Sequence, residues 1–465
     1  MLYKAGIGRI KDDCIIYENG TYYMYSMYWK ENSSIENNIW LATSKDGVHF
    51  QDYGCVVENF PKRIFAMKPY RTADCYYINS GSFTDDEQQI VLKFWRSTDL
   101  YHWEYVPEMD IVSPPAEVGT TRLDCMCIVH RDDKFYGYAT GQYGFLTSDD
   151  GVHWDLHPTN INYGPFPEYN PALGGFELGD AIYFEGAYYL LCGGFGHLGT
   201  NGYGVWVYSS DKPEGPFAPV FPNYQLNGTS RRWVNMWARC FEKDGKTLVH
   251  NYLYSGHSYE QGEVYLSLIK ELAVNKYGLY MKWWQGNNLL YGSEKDHKEQ
   301  LAAEGTHEDI FSLAKPACHL SENCVELPPQ AIVDITLRLE ENEFTKYSAG
   351  GFYLAETEST GTAIIFDTYG KCEIVFVKDG QIQFVDDSIT FPRCALYHLA
   401  AGREYNIRLL VQNGLFEIYV DDIYLQTFNN AHFAGSVAKP FTAIRAMACR
   451  KQCILSNIKI YEMNA

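Results

Sequence analysis

SKDGVHF at residues 44–50, STDLYHW at 97–103 and SDDGVHW at 148–154 are three copies of one segment, and a looser fourth, SSDKPEGPF, begins at Ser209. Each copy follows an alternating apolar run: IWLATS, IVLKFWRS, YGFLTS and VWVYSS. The Ser, Asp and Gly supply a turn, and the aromatic that follows re-enters a sheet. Successive copies start 53, 51 and 61 residues apart, the length of a four-stranded propeller blade. The stretch MWARCFEKDGKTLVHNYLYS with GEVYLSLI has room for a fifth. Blade cores are expected at residues 12–54, 70–106, 122–156, 177–220 and 232–284.

Beyond Trp283-Trp284 the pattern lapses into GSEKDHKEQLAAEGTHEDIFSLAK, which reads as a linker. From Val325 the chain alternates again, with hairpin turns expected at Tyr369-Gly370, Asp379-Gly380 and Asn413-Gly414. These strands predict a β-sandwich. The fold class is therefore all-β: a five-bladed propeller over 1–290, a linker over 291–324 and a C-terminal sandwich over 325–465. The sandwich is expected to pack on the propeller or to join two copies as a homo-oligomer.

A formal net charge of −20 argues against nucleic acid or an anionic membrane as partner, since both need clustered Lys and Arg. The 13 cysteines lack metal-ligand spacing and read as reduced packing residues. The chain opens without a basic and then apolar leader, and no run reaches membrane-spanning length. A cytoplasmic protein is the resulting expectation.

The innermost strand of a blade lines the central channel, so an acid at its head faces a ligand. Asp12 lies eight residues before Gly20, Asp124 occupies the corresponding place in the third blade, and Glu177 lies nine before Gly186. Converging carboxylates are the minimum apparatus for breaking a glycosidic bond, one ionised and one protonated. Asp13 competes with Asp12, because a regular strand turns only one of them to the channel; the distance to Gly20 favours Asp12. Asp180, three residues past Glu177, reads as structural.

Here the chain resembles the five-bladed propeller glycoside hydrolases of families 32 and 43, across nearly its whole length. Family 32 has Asn-Asp-Pro-Asn where this chain has Lys11-Asp12-Asp13-Cys14, Arg-Asp-Pro where it has Arg122-Leu123-Asp124, and Glu-Cys-Pro-Asp where it has Glu177-Leu178-Gly179-Asp180. Family 43 has Glu-Gly-Pro at the last position. The segment REYNIRLLVQNGLFEIYVDD resembles the family 32 sandwich. The resemblance implies an exo-acting glycosidase on short oligosaccharides, a β-fructofuranosidase-like furanosidase with no cofactor or metal. Asp12 would be nucleophile, Glu177 acid/base and Asp124 transition-state stabiliser. A family 43-like inverting arabinofuranosidase or xylosidase would use the same residues, with Asp12 activating water. Arg122 either pairs with Asp124 or contacts sugar hydroxyls.

Aromatic residues near blade ends, Trp29, Trp40, Trp95, Trp233 and Trp237, are candidates for a floor on which a sugar ring stacks. His197, in the glycine-rich loop CGGFGHLGTNGYG, is a candidate ligand contact. His250 and Arg239 are weaker candidates, for which a solvated or packing role is favoured. Two other classes stay open: a non-catalytic carbohydrate-binding propeller, and a phosphorylase if Arg231-Arg232 turn inward.

Overall fold

The computed structural model describes residues 3–31, 33, 35–115, 122–162, 177–195, 202–220, 225–229, 235–257, 262–297, 300–305, 319–341, 348–390, 399–432 and 435–464. Four sheets stand alone as blades. Blade 1 runs Arg9–Glu18, Thr21–Trp29, Asn38–Ser44 and Gln51–Val57; blade 2 runs Ile64–Arg71, Tyr76–Phe83, Ile90–Ser97 and Glu104–Tyr105. Blade 3 holds Cys127–Arg131, Lys134–Tyr138, Phe145–Ser148 and Asp155–His157. Blade 4 holds Glu177–Phe184, Ala187–Phe195, Tyr203–Ser210 and Ala218–Pro219, with Gln225–Gly228 beside its third strand. The fifth begins with Asn235–Lys243 and Lys246–Tyr254 and ends with Lys270–Asn275 and Gly278–Trp283. Unlike the others it is not a separate sheet: Lys282 pairs with Ile423 and carries the ladder into the sandwich. The five innermost strands neighbour one another in a closed ring, blade 5 returning to blade 1.

The repeated segment folds three times as the same turn. In the first copy Ser44 Oγ accepts from Gly47 N at 2.9 Å, and Asp46 Oδ1 accepts from Val48 and His49 N, both at 2.8 Å. His49 Nδ1 lies 2.8 Å from the other carboxylate oxygen. Ser97, Asp99 and His102 repeat this arrangement, as do Ser148, Asp150 and His153. The fourth position needs a left-handed backbone, φ 79° at Gly47 and 76° at Gly151, and in the second copy Leu100 takes it at φ 69°.

In the sandwich, one sheet contains Gln330–Leu339, Glu404–Gln412, Leu415–Val420, Ile423–Asn429 and Gln452–Met463. The other contains Ala349–Ala355, Gly361–Asp367, Lys371–Lys378, Gln381–Thr390 and Ala443–Arg450. A continuous apolar core lies between them. The hairpin turns at Asp379-Gly380 and Asn413-Gly414 have positive φ at both residues, and that at Tyr369-Gly370 at the glycine, as such turns require.

The expected linker is corrected in part. Tyr291–His297 and Leu301–Glu304 are strands paired with Gln452–Met463, and His319–Leu320 pairs with Ala443–Arg450. An edge strand carries charged side chains on its solvent side, here Glu294 with Lys459 and Lys295 with Glu462, and such a composition imitates a linker. No helix among the described residues is long and apolar enough to cross a membrane.

Candidate active site

Four of the five inner strands break register near their heads, between Lys11 and Cys14, Ile64 and Met67, Leu178 and Asp180, and Met236 and Arg239. A bulge of this kind re-aims side chains that regular alternation would send to opposite faces. In blade 3 the residues before the inner strand are held by a side chain instead. Asn79 Oδ1 accepts from Met126 N at 2.6 Å, and its Nδ2 donates to Met126 O at 2.9 Å.

The blade 1 bulge separates the two adjacent aspartates. Asp12 sits at φ 53°, and its Oδ1 accepts hydrogen bonds from Tyr252 OH at 2.6 Å and Trp237 Nε1 at 3.1 Å. Asp13 is fully buried, 3.0 Å from His250 Nδ1. Burial holds the His250 pKa below its ordinary value, against the pull of Asp13. Asp12 joins the other candidate acids, and Asp13 belongs to the packing beneath.

Arg122 ties the remaining two acids together. Its Nε donates to Asp124 Oδ2 at 3.1 Å, and one terminal nitrogen donates both to Asp124 and, at 2.8 Å, to Glu177 Oε1. Asp124 also accepts from Cys125 N and is buried. Its approach depends on Gly81, where a Cβ would lie 2.6 Å from Asp124 Oδ1.

Glu177 keeps 36% of its side-chain surface exposed, yet the protein crowding it raises its pKa. The Asp124 charge adds to the rise, Arg122 opposes it, and Asp12 contributes a smaller upward push. Burial and a nearby carboxylate both shift an acid in this direction, and a nearby guanidinium shifts it back.

Arg122, Asp124 and Glu177 are thus joined directly, with Asp12 in their electrostatic neighbourhood. Trp237 also reaches the site, but as a donor to Asp12 rather than a stacking floor. It is 4% exposed at φ 60°, and a Cβ at Gly179 would lie 2.4 Å from its ring.

Trp40 and Trp95 are corrections. Trp40 is buried, stacks on Tyr28 with ring centroids 4.7 Å apart, and donates to Tyr3 OH. Trp95 is 1% exposed and packs on Phe60 and Tyr105. Both face the space between blades, where aromatic area is worth most to stability. His197, Trp233 and Arg231-Arg232 lie outside the described residues.

Asp180 is fully buried below Glu177. It accepts from Lys68 Nζ at 2.7 and 2.9 Å and from Cys240 N, joining blades 2, 4 and 5. Arg239, also buried, donates to Met67 O at 3.0 Å and reaches Cys125 Sγ at 3.5 Å. Cysteines among the described residues are free thiols. No group of three or more His, Cys, Asp or Glu there is placed to hold a metal ion.

Residues that the sequence did not single out for the site include Tyr252 and Lys11, whose Nζ is 3.8 Å from Asp12 Oδ2. The one available signal for Lys11 was its adjacency to Asp12.

No family model matches the chain. No curated protein matches it in sequence. Solved structures do match in shape. A GH32 β-fructofuranosidase of Bombyx mori superposes with TM-score 0.69 at 12% identity, over 99% of this chain and 92% of that one. Sucrose-6-phosphate hydrolase of Lactobacillus gasseri gives 0.67 at 14% identity, over 98% and 91%. Fructan 1-exohydrolase IIa of Cichorium intybus gives 0.67 at 11% identity, over 100% and 96%. At these identities the likeness is one of fold: a propeller followed by a C-terminal β-sandwich.

Proposed function

We propose that this protein is an exo-acting glycoside hydrolase of the β-fructofuranosidase type, cleaving a terminal furanosidic bond in a short oligosaccharide. The observation that carries this reading is the trio of carboxylates at the channel. Asp12 has one oxygen held by two donors, Glu177 has a raised pKa, and Asp124 is bound to Glu177 through Arg122. The structural neighbours named for fructofuranosidase and fructan exohydrolase activities support the substrate class.

In this reading Asp12 Oδ2 attacks the anomeric carbon while Glu177 gives its proton to the departing glycosidic oxygen. The carbon–oxygen bond to the leaving group breaks as the ester to Asp12 forms. Glu177, now a carboxylate, takes a proton from water, whose oxygen attacks the same carbon and returns the bonding pair to Asp12. Asp124 and Arg122 hold hydroxyls of the sugar as positive charge develops on its ring.

The test is hydrolysis of sucrose, 1-kestose and aryl fructofuranosides, arabinofuranosides and xylosides by the wild type, Asp12→Ala and Glu177→Ala. Release of fructose that disappears in both variants is expected, with the first-formed anomer by proton NMR retaining configuration. Inversion would make Asp12 a base for water. Sugar binding without turnover would reduce the propeller to a carbohydrate-binding module.

A further inference from the structure

Lys11 occupies the position that the family 32 pattern fills with a neutral Asn. Neighbouring residues on a regular strand point to opposite faces. The register shift that begins at Lys11, with Asp12 at φ 53°, brings both side chains together, Nζ to Oδ2 at 3.8 Å. The Lys11 side chain retains 28% exposure.

The two oxygens of Asp12 are therefore differently engaged. Oδ1 accepts from Tyr252 and Trp237, while Oδ2, the oxygen left for attack, faces the ammonium. The Lys11 pKa is raised chiefly by Asp12 and also by Tyr254, Glu177 and Asp124, with burial opposing. The ammonium therefore lies in the field of both reacting acids.

We propose that Lys11 is a positioning residue that serves as a shared counter-charge for Asp12 and Glu177 in turn. This rests on the two-step reading above. Before the first step the negative charge is on Asp12 and Glu177 carries a proton. In the glycosyl-enzyme the ester at Oδ2 has discharged Asp12, and the negative charge resides on Glu177. A cation beside Asp12 Oδ2 and within the field of Glu177 stabilises both states and leaves the number of charges around it unchanged. Arg122 does not replace it, because its guanidinium is committed to Asp124 and Glu177.

The test compares wild type, Lys11→Met and Lys11→Arg on a fructofuranoside the wild type hydrolyses. In Lys11→Met both limbs of the kcat/KM profile should move to higher pH, the acidic limb more, by about one unit, because each acid loses a favourable neighbouring charge. With an activated aryl substrate, the burst and the steady rate should each fall about tenfold. Lys11→Arg should restore both limbs.

An unshifted profile in Lys11→Met, or a change confined to KM, overturns the shared counter-charge. So does a shift that Lys11→Arg fails to restore while circular dichroism and melting match the wild type. If the wild type hydrolyses no fructofuranoside, the underlying reading falls and this inference falls with it.

Discussion

Tyr252 donates its hydroxyl to Oδ1 of Asp12 at 2.6 Å, from a strand in blade 5 to one in blade 1. The bond crosses the seam where the ring closes, so the geometry of Asp12 depends on the last blade. In Tyr252→Phe one donor to the carboxylate is gone and the ring packing is kept. We expect kcat to fall about tenfold or more, KM to change little, and stability to drop by about 1 kcal/mol. Steady-state kinetics with urea unfolding separates these; an unchanged kcat would sink the orienting role.

Arg122 lowers the pKa of Glu177 against the larger upward push of burial and Asp124. In Arg122→Met that restraint disappears, so Glu177 stays protonated to higher pH and the alkaline limb of kcat/KM moves up. If Arg122 holds the sugar as proposed, the maximal rate should also fall about 100-fold. A limb that moves down would contradict the ion pair.

Lys68 and Asp180 form a buried ion pair, 2.7 Å apart. Asp180→Ala leaves the ammonium unpaired and should cost about 3–5 kcal/mol, read as a lower urea midpoint. Glu177 lies three residues away across the same bulge, so activity should fall with stability. Full stability in this variant would show that Lys68 finds another partner.

The three Ser-Asp-His turns predict an acid-side loss of stability. In Asp46 burial favours the neutral form, but His49, the backbone N–H groups and Ser44 outweigh it and hold the pKa at about 2; Asp99 and Asp150 are held low in the same way. A carboxyl with a depressed folded pKa stabilises fully above its unfolded value, near 4, and loses that contribution as pH falls toward 2. Thermal melts of Asp46→Asn and wild type should therefore differ at pH 6 and converge toward pH 2. A constant difference across that range would remove the turn from the pH dependence.

The architecture was readable because each turn is a local device: Ser44, Asp46 and Gly47 satisfy their own backbone within a few residues, so the signal survives in the sequence alone. That Asp12, Asp124 and Glu177 lie at the same end of neighbouring blades follows from the repeat, because each stands at or just before an inner strand. Trp40 and Trp95 were misread because proximity to a blade end does not tell which neighbouring sheet an aromatic will meet. Tyr252, Trp237 and Lys11 depend on bulges that join residues up to 240 positions apart, and no alternation rule carries that information. Glu294 and Lys295 disguised an edge strand as a linker by the charges that protect it.

The continuity of blade 5 with the sandwich through Lys282 and Ile423 bears on how this polypeptide can be divided. Lys270, fully buried in blade 5, has its counter-ion in Glu417, 2.8 Å away in the sandwich. Asn235, at the start of the strand that carries Trp237, donates to Gln426 at 2.8 Å. A fragment of residues 1–290 would expose an ammonium site without its anion and release the strand that orders Asp12; such a fragment should be insoluble or molten by near-UV circular dichroism. The sandwich is then no detachable accessory: the propeller completes its last blade and its buried ion pair only with the sandwich in place.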